Sequence, residues 1–175
     1  MPIKSLIRTI PHYPHKGIMF RDITTLLKDP IGLRTTIQEI TKRYQTYSID
    51  KVVGIESRGF IIGAPVAYQL ETGFVPIRKP NKLPAQTIGR DYQLEYGNDR
   101  IEIHADAVQP GDRVLLVDDL IATGGTAEAA VRLIREMGGE VVECCFVIDL
   151  PDVGGRTRLE KMNCKVFSLC KFEGD

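Results

Sequence analysis

Five short runs of β-branched and apolar residues punctuate the chain, at Lys51 to Ile55, Phe74 to Ile77, Arg113 to Val117, Val141 to Ile148 and Lys165 to Leu169. Their length and composition predict buried strands, and several of the intervening segments carry helical periodicity. Asp29-Pro30 offers an N-cap followed by proline at the first helical position, after which Leu33, Ile37, Ile40, Tyr44 and Tyr47 share one helical stripe. A second helix is predicted over Thr126 to Met137, with Ala127, Ala130, Val131, Ile134 and Met137 on one face and Gly138-Gly139 as its stop. Strands alternating with amphipathic helices predict an α/β fold: a mainly parallel central sheet flanked by helices, with ligand sites beyond the carboxyl ends of the strands.

The pattern breaks down between Lys79 and Arg100. This polar stretch is too long for an ordinary connection, which predicts a disordered or functional loop, and its Lys79, Lys82, Arg90 and Glu95 favour a flexible cover over an active site. No internal repeat, low-complexity tract or linker divides the chain, so residues 1–175 read as a single domain.

Composition narrows the function classes. A chain of 175 residues can bury a core without disulfides or a structural metal. Its 23 basic and 23 acidic residues balance to a formal charge of zero, which gives no support for a nucleic-acid or membrane surface; a phosphate ligand must be held by local groups. No apolar run approaches the roughly 20 residues that span a bilayer. Pro11, His12, Pro14 and His15 stand where a signal peptide needs an apolar stretch, so a cytoplasmic protein is expected. Cys144, Cys145, Cys164 and Cys170 lack C-x-x-C spacing and read as buried thiols rather than ligands.

The strongest chemical signal is Val114 to Thr126, V-L-L-V-D-D-L-I-A-T-G-G-T: an apolar strand, two acids, then a small-residue loop that opens a helix. Gly124 and Gly125 let backbone approach an anion, Thr123 and Thr126 supply hydroxyls, and the first helical turn has free N–H groups. A phosphate monoester fits. The segment lacks the lysine of a Walker loop and is not a G-x-G-x-x-G fingerprint, which disfavours nucleoside triphosphates. Asp118 and Asp119 would oppose a phosphate, so they are expected to serve hydroxyls, a metal or a developing cation; a ribose 5-phosphate offers all three.

This segment closely resembles the phosphoribosyl pyrophosphate motif of type I phosphoribosyltransferases. The resemblance implies that fold, with a small N-terminal hood (1–28) and a mobile loop (79–100). It also implies that Asp118 and Asp119 hold the ribose, and that Ala122, Thr123, Gly124, Gly125 and Thr126 hold the 5-phosphate. F-R-D-I-T, K-D-P, G-I-E-S-R-G-F, R-K-P-N-K-L-P and Y-Q-L-E-Y-G occur in the order seen in the adenine subfamily. By that resemblance Ser57, Arg58 and the Gly59 backbone form a pyrophosphate loop, joined by Arg78, Lys79 and Lys82. Glu95 matches a loop glutamate with a proposed role in proton transfer, and Met19, Phe20 and Arg21 match the segment that reads adenine. The resemblance further implies Mg²⁺, carried mainly by the substrate with no direct protein ligand set, and a homodimer. Asn81 departs from the pattern, since many relatives carry glycine there; asparagine also tolerates left-handed backbone.

Three alternatives stay open. An enzyme for xanthine, hypoxanthine or guanine shares the phosphate motif, but F-R-D-I-T speaks against it. A noncatalytic sensor of phosphoribosyl pyrophosphate should carry a DNA-binding extension, which the balanced charge does not suggest. A carboxylate-metal phosphohydrolase built on Asp118 and Asp119 would release phosphate without any base.

Overall fold

The computed structural model describes residues 2–94 and 96–174. A hairpin of β1 (Arg8–Pro11) and β2 (Met19–Asp22) is followed by the short α1 (Thr24–Leu27) and by α2 (Pro30–Tyr44). The central sheet comes next: β3 (Lys51–Ile55), α3 (Arg58–Gln69) and β4 (Gly73–Ile77), then a second hairpin of β5 (Thr87–Gln93) and β6 (Asn98–His104). β7 (Arg113–Ile121), α4 (Gly125–Glu136), β8 (Glu140–Asp149), α5 (Gly155–Glu160) and β9 (Val166–Lys171) complete the chain. Five strands form the parallel sheet in the order β4-β3-β7-β8-β9.

All five predicted strands are present. The alternation of side chains across the pleat explains the two layers that cover the sheet. Val52, Leu115, Val117, Cys145 and Val147 bury against α2 and α3 through Ile37, Ile40, Ile62 and Val66. Val53, Leu116, Cys144 and Phe146 face the other way, against Ala130, Val131 and Ile134 of α4. The Asp29 carboxylate caps α2 by accepting from Gly32 N–H at 2.7 Å. Gly138, at φ 88°, ends α4 as the sequence indicated. Tyr47 lies past the end of α2, yet its ring still meets Tyr44 edge-on at 5.2 Å.

One expectation needs correction. The stretch read as loop from Lys79 to Arg100 is largely an antiparallel ribbon, with Tyr92 paired to Asp99 and Ile88 to Ile103. Ile88, Tyr92, Ile101 and Ile103 pack into the α4-side core. Its apolar positions alternate, but polar residues outnumber them, which hid a period of two. Among the described residues no helix is long and apolar enough to cross a membrane.

Candidate active site

Sheet order brings the three motifs together. β4, β3 and β7 are parallel neighbours, so Arg78-Lys79, Glu56 to Gly59 and the Asp118-Asp119 pair all stand at one edge of the sheet. There Glu56, Ser57, Arg58, Arg78, Lys79, Tyr92, Asp118, Asp119 and Thr126 line a cleft of about 330 Å³. A second hollow of about 200 Å³ shares Asp118 and Thr126 and runs over Ala122, Thr123, Gly124 and Gly125. A larger groove of about 490 Å³ between residues 5–8 and 28–30 includes the K-D-P segment but none of the predicted site residues.

β7 runs on to Ile121, beyond the predicted Val117, so both acids belong to the strand; its pairing with β3 stops at Val117, while β8 accompanies it past the acids to Ile121. Asp119 is 6 % exposed and accepts from Arg58 Nε at 2.5 Å. Asp118 lies under α3: a Cβ on Gly59 would stand 3.0 Å from its Oδ1, a contact tight enough that a side chain there would crowd the acid. Burial first, and the Asp119 charge second, push the Asp118 carboxyl well above the usual carboxylate range. A half-buried Asp118 beside a buried Asp119 favours any ligand that brings donors or positive charge.

Past β7 the chain turns at Gly124, whose φ of 81° places it in the left-handed region as the N-cap of α4. Gly124 and Gly125 are buried, Thr126 is half-buried and Thr123 is exposed. Gly155 N–H donates to Ala122 O at 2.9 Å, so α5 backs the loop from behind. Arg158, on α5, pairs with Glu128 in the first turn of α4.

Three of the four candidate pyrophosphate-site cations are engaged. Arg78 Nε donates to Glu56 Oε1 at 2.9 Å, Arg58 holds Asp119, and Lys79 Nζ sits against Asp99 and 3.1 Å from Tyr92 OH. Ser57 is the N-cap residue of α3. Lys82 is exposed and is not among the residues lining the cleft. Met19, Phe20 and Arg21 occupy β2 and are half-buried, also outside that lining; Phe20 meets the Tyr13 ring at 5.2 Å and the Arg21 guanidinium lies 4.5 Å from the Phe172 ring. Burial works against the Arg58 cation, while Asp119, then Asp118 and last Asp22 of this hairpin raise its pKa. Glu95 lies outside the described residues. Asn81 has φ 65°, the left-handed conformation its place in the pattern requires.

Sequence reasoning gave no role to Glu56 or Asp99. Glu56 was visible inside G-I-E-S-R-G-F as an acid at a strand end. Asp99 needed the hairpin register, because it faces Tyr92 across the ribbon.

An acid pair, a glycine-turned loop and a cationic loop stand on adjacent strand ends, and residues 22–173 match the family described as Phosphoribosyl transferase domain. The adenine phosphoribosyltransferase of Nitrosospira multiformis is 78 % identical over 175 residues, the full length of both chains. The crystal structure of adenine phosphoribosyltransferase from Thermoanaerobacter pseudethanolicus superposes with a TM-score of 0.93 at 47 % identity, covering 97 % of this chain and 98 % of that one. The Saccharomyces cerevisiae adenine phosphoribosyltransferase, complexed with adenine and an imino-altritol bisphosphate, gives a TM-score of 0.89 at 37 % identity over 96 % of each chain. The chain belongs to the adenine phosphoribosyltransferase family.

Proposed function

We propose that this chain joins adenine to 5-phosphoribosyl pyrophosphate, forming AMP and releasing pyrophosphate. The observation that carries the reading is the convergence of Asp118, Asp119, the 122–126 cradle and three cations on one edge of the sheet. Asp118 and Asp119 take the ribose hydroxyls. Ala122, Thr123, Gly124, Gly125 and Thr126 take the 5-phosphate, where each hydrogen bond to the dianion contributes on the order of 1.5 to 3 kcal/mol.

Ser57, Arg58, Gly59, Arg78, Lys79 and Lys82 receive the pyrophosphate. Its departure leaves positive charge at the anomeric carbon, as in glycosyl transfer. At an effective dielectric of about 20 and a separation of about 5 Å, one carboxylate stabilises that charge by roughly 3 kcal/mol, about a hundredfold in rate. Glu95 is assigned proton transfer at the imidazole nitrogens of the base, and Met19, Phe20 and Arg21 its recognition, as the hood (1–28). The 79–100 segment, carrying the β5–β6 ribbon, closes over the reactants and excludes water.

Mg²⁺ carried mainly by the substrate, with no direct protein ligand, is part of the proposal. When bound it would neutralise the leaving pyrophosphate. We place the reaction in the cytoplasm, which suits the unpaired thiols. The proposed partner is a second copy of the chain, across the outer face of α3, where Ile61 is 47 % and Tyr68 80 % exposed.

The test is direct. Purified protein is incubated with Mg²⁺, phosphoribosyl pyrophosphate and, separately, adenine, hypoxanthine, guanine or xanthine; AMP from adenine alone is expected, and its absence overturns the reading. Glu95→Gln is expected to lower turnover more than substrate binding, and unchanged activity removes Glu95 from its role.

A further inference from the structure

Lys79 lies two residues past the end of β4, at the mouth of the cleft, yet its ammonium turns toward the β5–β6 ribbon. Tyr92 and Asp99 stand opposite each other in the ribbon's register, so both side chains project from the same face. Tyr92 OH donates to Asp99 Oδ2 at 3.1 Å, and Lys79 Nζ contacts both the carboxylate and, at 3.1 Å, the phenol oxygen. Although burial works against its charge, these two partners hold the Lys79 ammonium above the ordinary lysine value. Asp99 in turn is held below the usual carboxylate range, chiefly by Lys79.

The same arrangement recurs around the cleft: Arg58 rests on Asp119 and Arg78 on Glu56. Each of these cations is thus paired with a carboxylate that an incoming diphosphate would compete with. Asp119 is already committed to ribose in the proposed reaction, and Glu56 also accepts from the Lys79 backbone N–H at 3.3 Å. Asp99 has a different standing. It belongs to the ribbon rather than to the sheet edge, and it does not line the cleft itself.

We propose that Asp99, assisted by Tyr92, is a positioning residue that holds Lys79 at the rim of the cleft and surrenders it to the incoming diphosphate. The inference rests on the phosphoribosyl-transfer reading for its reaction, but not for its binding step. Lys79 is one ammonium with competing anions. Breaking its pair with Asp99 opposes diphosphate binding, and regaining the pair favours pyrophosphate release. The exchange also ties the ribbon to the state of the cleft, since Lys79 is the side chain that joins Tyr92 and Asp99 to β4. A partly exposed ion pair of this kind changes an affinity by only a few-fold, which sets the scale of the effect.

The test is Asp99→Asn, with Asp99→Glu and Tyr92→Phe beside it, each checked for an unchanged melting profile. Calorimetric titration with Mg²⁺ and inorganic pyrophosphate is expected to show roughly three- to fivefold tighter binding for Asp99→Asn. Asp99→Glu is expected to restore the wild-type value. In steady state the KM for phosphoribosyl pyrophosphate falls by a similar factor, inhibition by pyrophosphate strengthens, and the KM for adenine stays put. A purely structural role for Asp99 would weaken binding of both substrates instead. Unchanged or weaker pyrophosphate binding in a folded Asp99→Asn protein overturns the inference. If Asp99→Asn does not fold, Tyr92→Phe decides: tighter pyrophosphate binding supports the exchange, and unchanged or weaker binding rejects it. If the wild-type protein forms no AMP, the proposed reaction falls, while the pyrophosphate titration still decides the role of Asp99.

Discussion

Gly124 and Gly155 meet backbone to backbone: a Cβ built on Gly124 would stand 2.9 Å from the Cα of Gly155. One built on Gly155 would stand 2.5 Å from Ala122 O and 2.8 Å from Gly124 N. The contact therefore supports the proposed phosphate-binding loop, although Gly155 lies far from it in sequence.

Gly155→Ala is expected to push α5 back or displace the 122–124 backbone, at a cost of about 1–3 kcal/mol in stability. Displaced amides would raise the KM for phosphoribosyl pyrophosphate about tenfold, as one lost hydrogen bond to a dianion would. The KM for adenine should change little. Steady-state kinetics with each substrate varied would check this, and equal effects on both would argue against a cradle-specific role.

A second expectation concerns Asp118, whose carboxyl is raised by burial and by Asp119. The folded protein then holds a proton that the unfolded chain has already released. Stability attached to this group is complete below the unfolded value of about 4 and declines as pH rises toward the raised folded value. Asp118→Asn removes that penalty. The variant should melt higher than wild type at pH 7, with the difference shrinking near pH 4, while turnover is abolished. A lower melting temperature at pH 7 would contradict the assignment.

Which parts of this were legible in the sequence follows from the range of the interactions involved. The acids and cradle of β7 and α4 could be read because strand, acids, glycine turn and helix follow one another within a single segment. Asp29 was legible for the same reason, its partner Gly32 being one turn away. Asp99 was not, because its use depends on pairing with Tyr92 across a hairpin and with Lys79 twenty residues earlier. The Gly124–Gly155 contact was hidden too, since only the sheet order brings the end of β8 beside that of β7. Lys82 shows the converse: membership of a motif placed it in a candidate set, while the chain leaves it in solvent.

Acid should loosen the N-terminal hairpin. Asp22 accepts from Thr24 Oγ1 at 2.7 Å and from Arg8 at 2.5 Å, and these bonds, Thr24 first, lower its carboxyl to about 2. A depressed acid contributes stability above its unfolded value near 4, and that contribution is lost as pH falls toward 2. Because Arg8 is 56 % exposed, solvent screening limits the contribution to about 1 kcal/mol. Asp22→Asn should therefore flatten the melting curve's dependence on pH between about 4 and 2. An unchanged dependence would remove Asp22 from the account.

The far end of the sheet offers a contrast in which stability and catalysis should separate. Glu143, near the start of β8 and 4 % exposed, accepts from Arg43 Nε at 2.9 Å, Arg43 Nη2 at 3.0 Å and Tyr44 OH at 2.6 Å. Arg43 also lies 4.0 Å from the Phe167 ring, so its guanidinium is fixed between a carboxylate and an aromatic face. Removing the acid leaves a half-buried cation and a buried phenol without their acceptor. Glu143→Ala should cost about 3 kcal/mol on that ground. Since the parallel strands put the cleft at their opposite ends, kcat and both KM values of the folded variant should match wild type well below its melting temperature. Chemical denaturation paired with kinetics would test the pair of statements; a loss of kcat in protein that remains folded would show that this end of the sheet is coupled to the cleft.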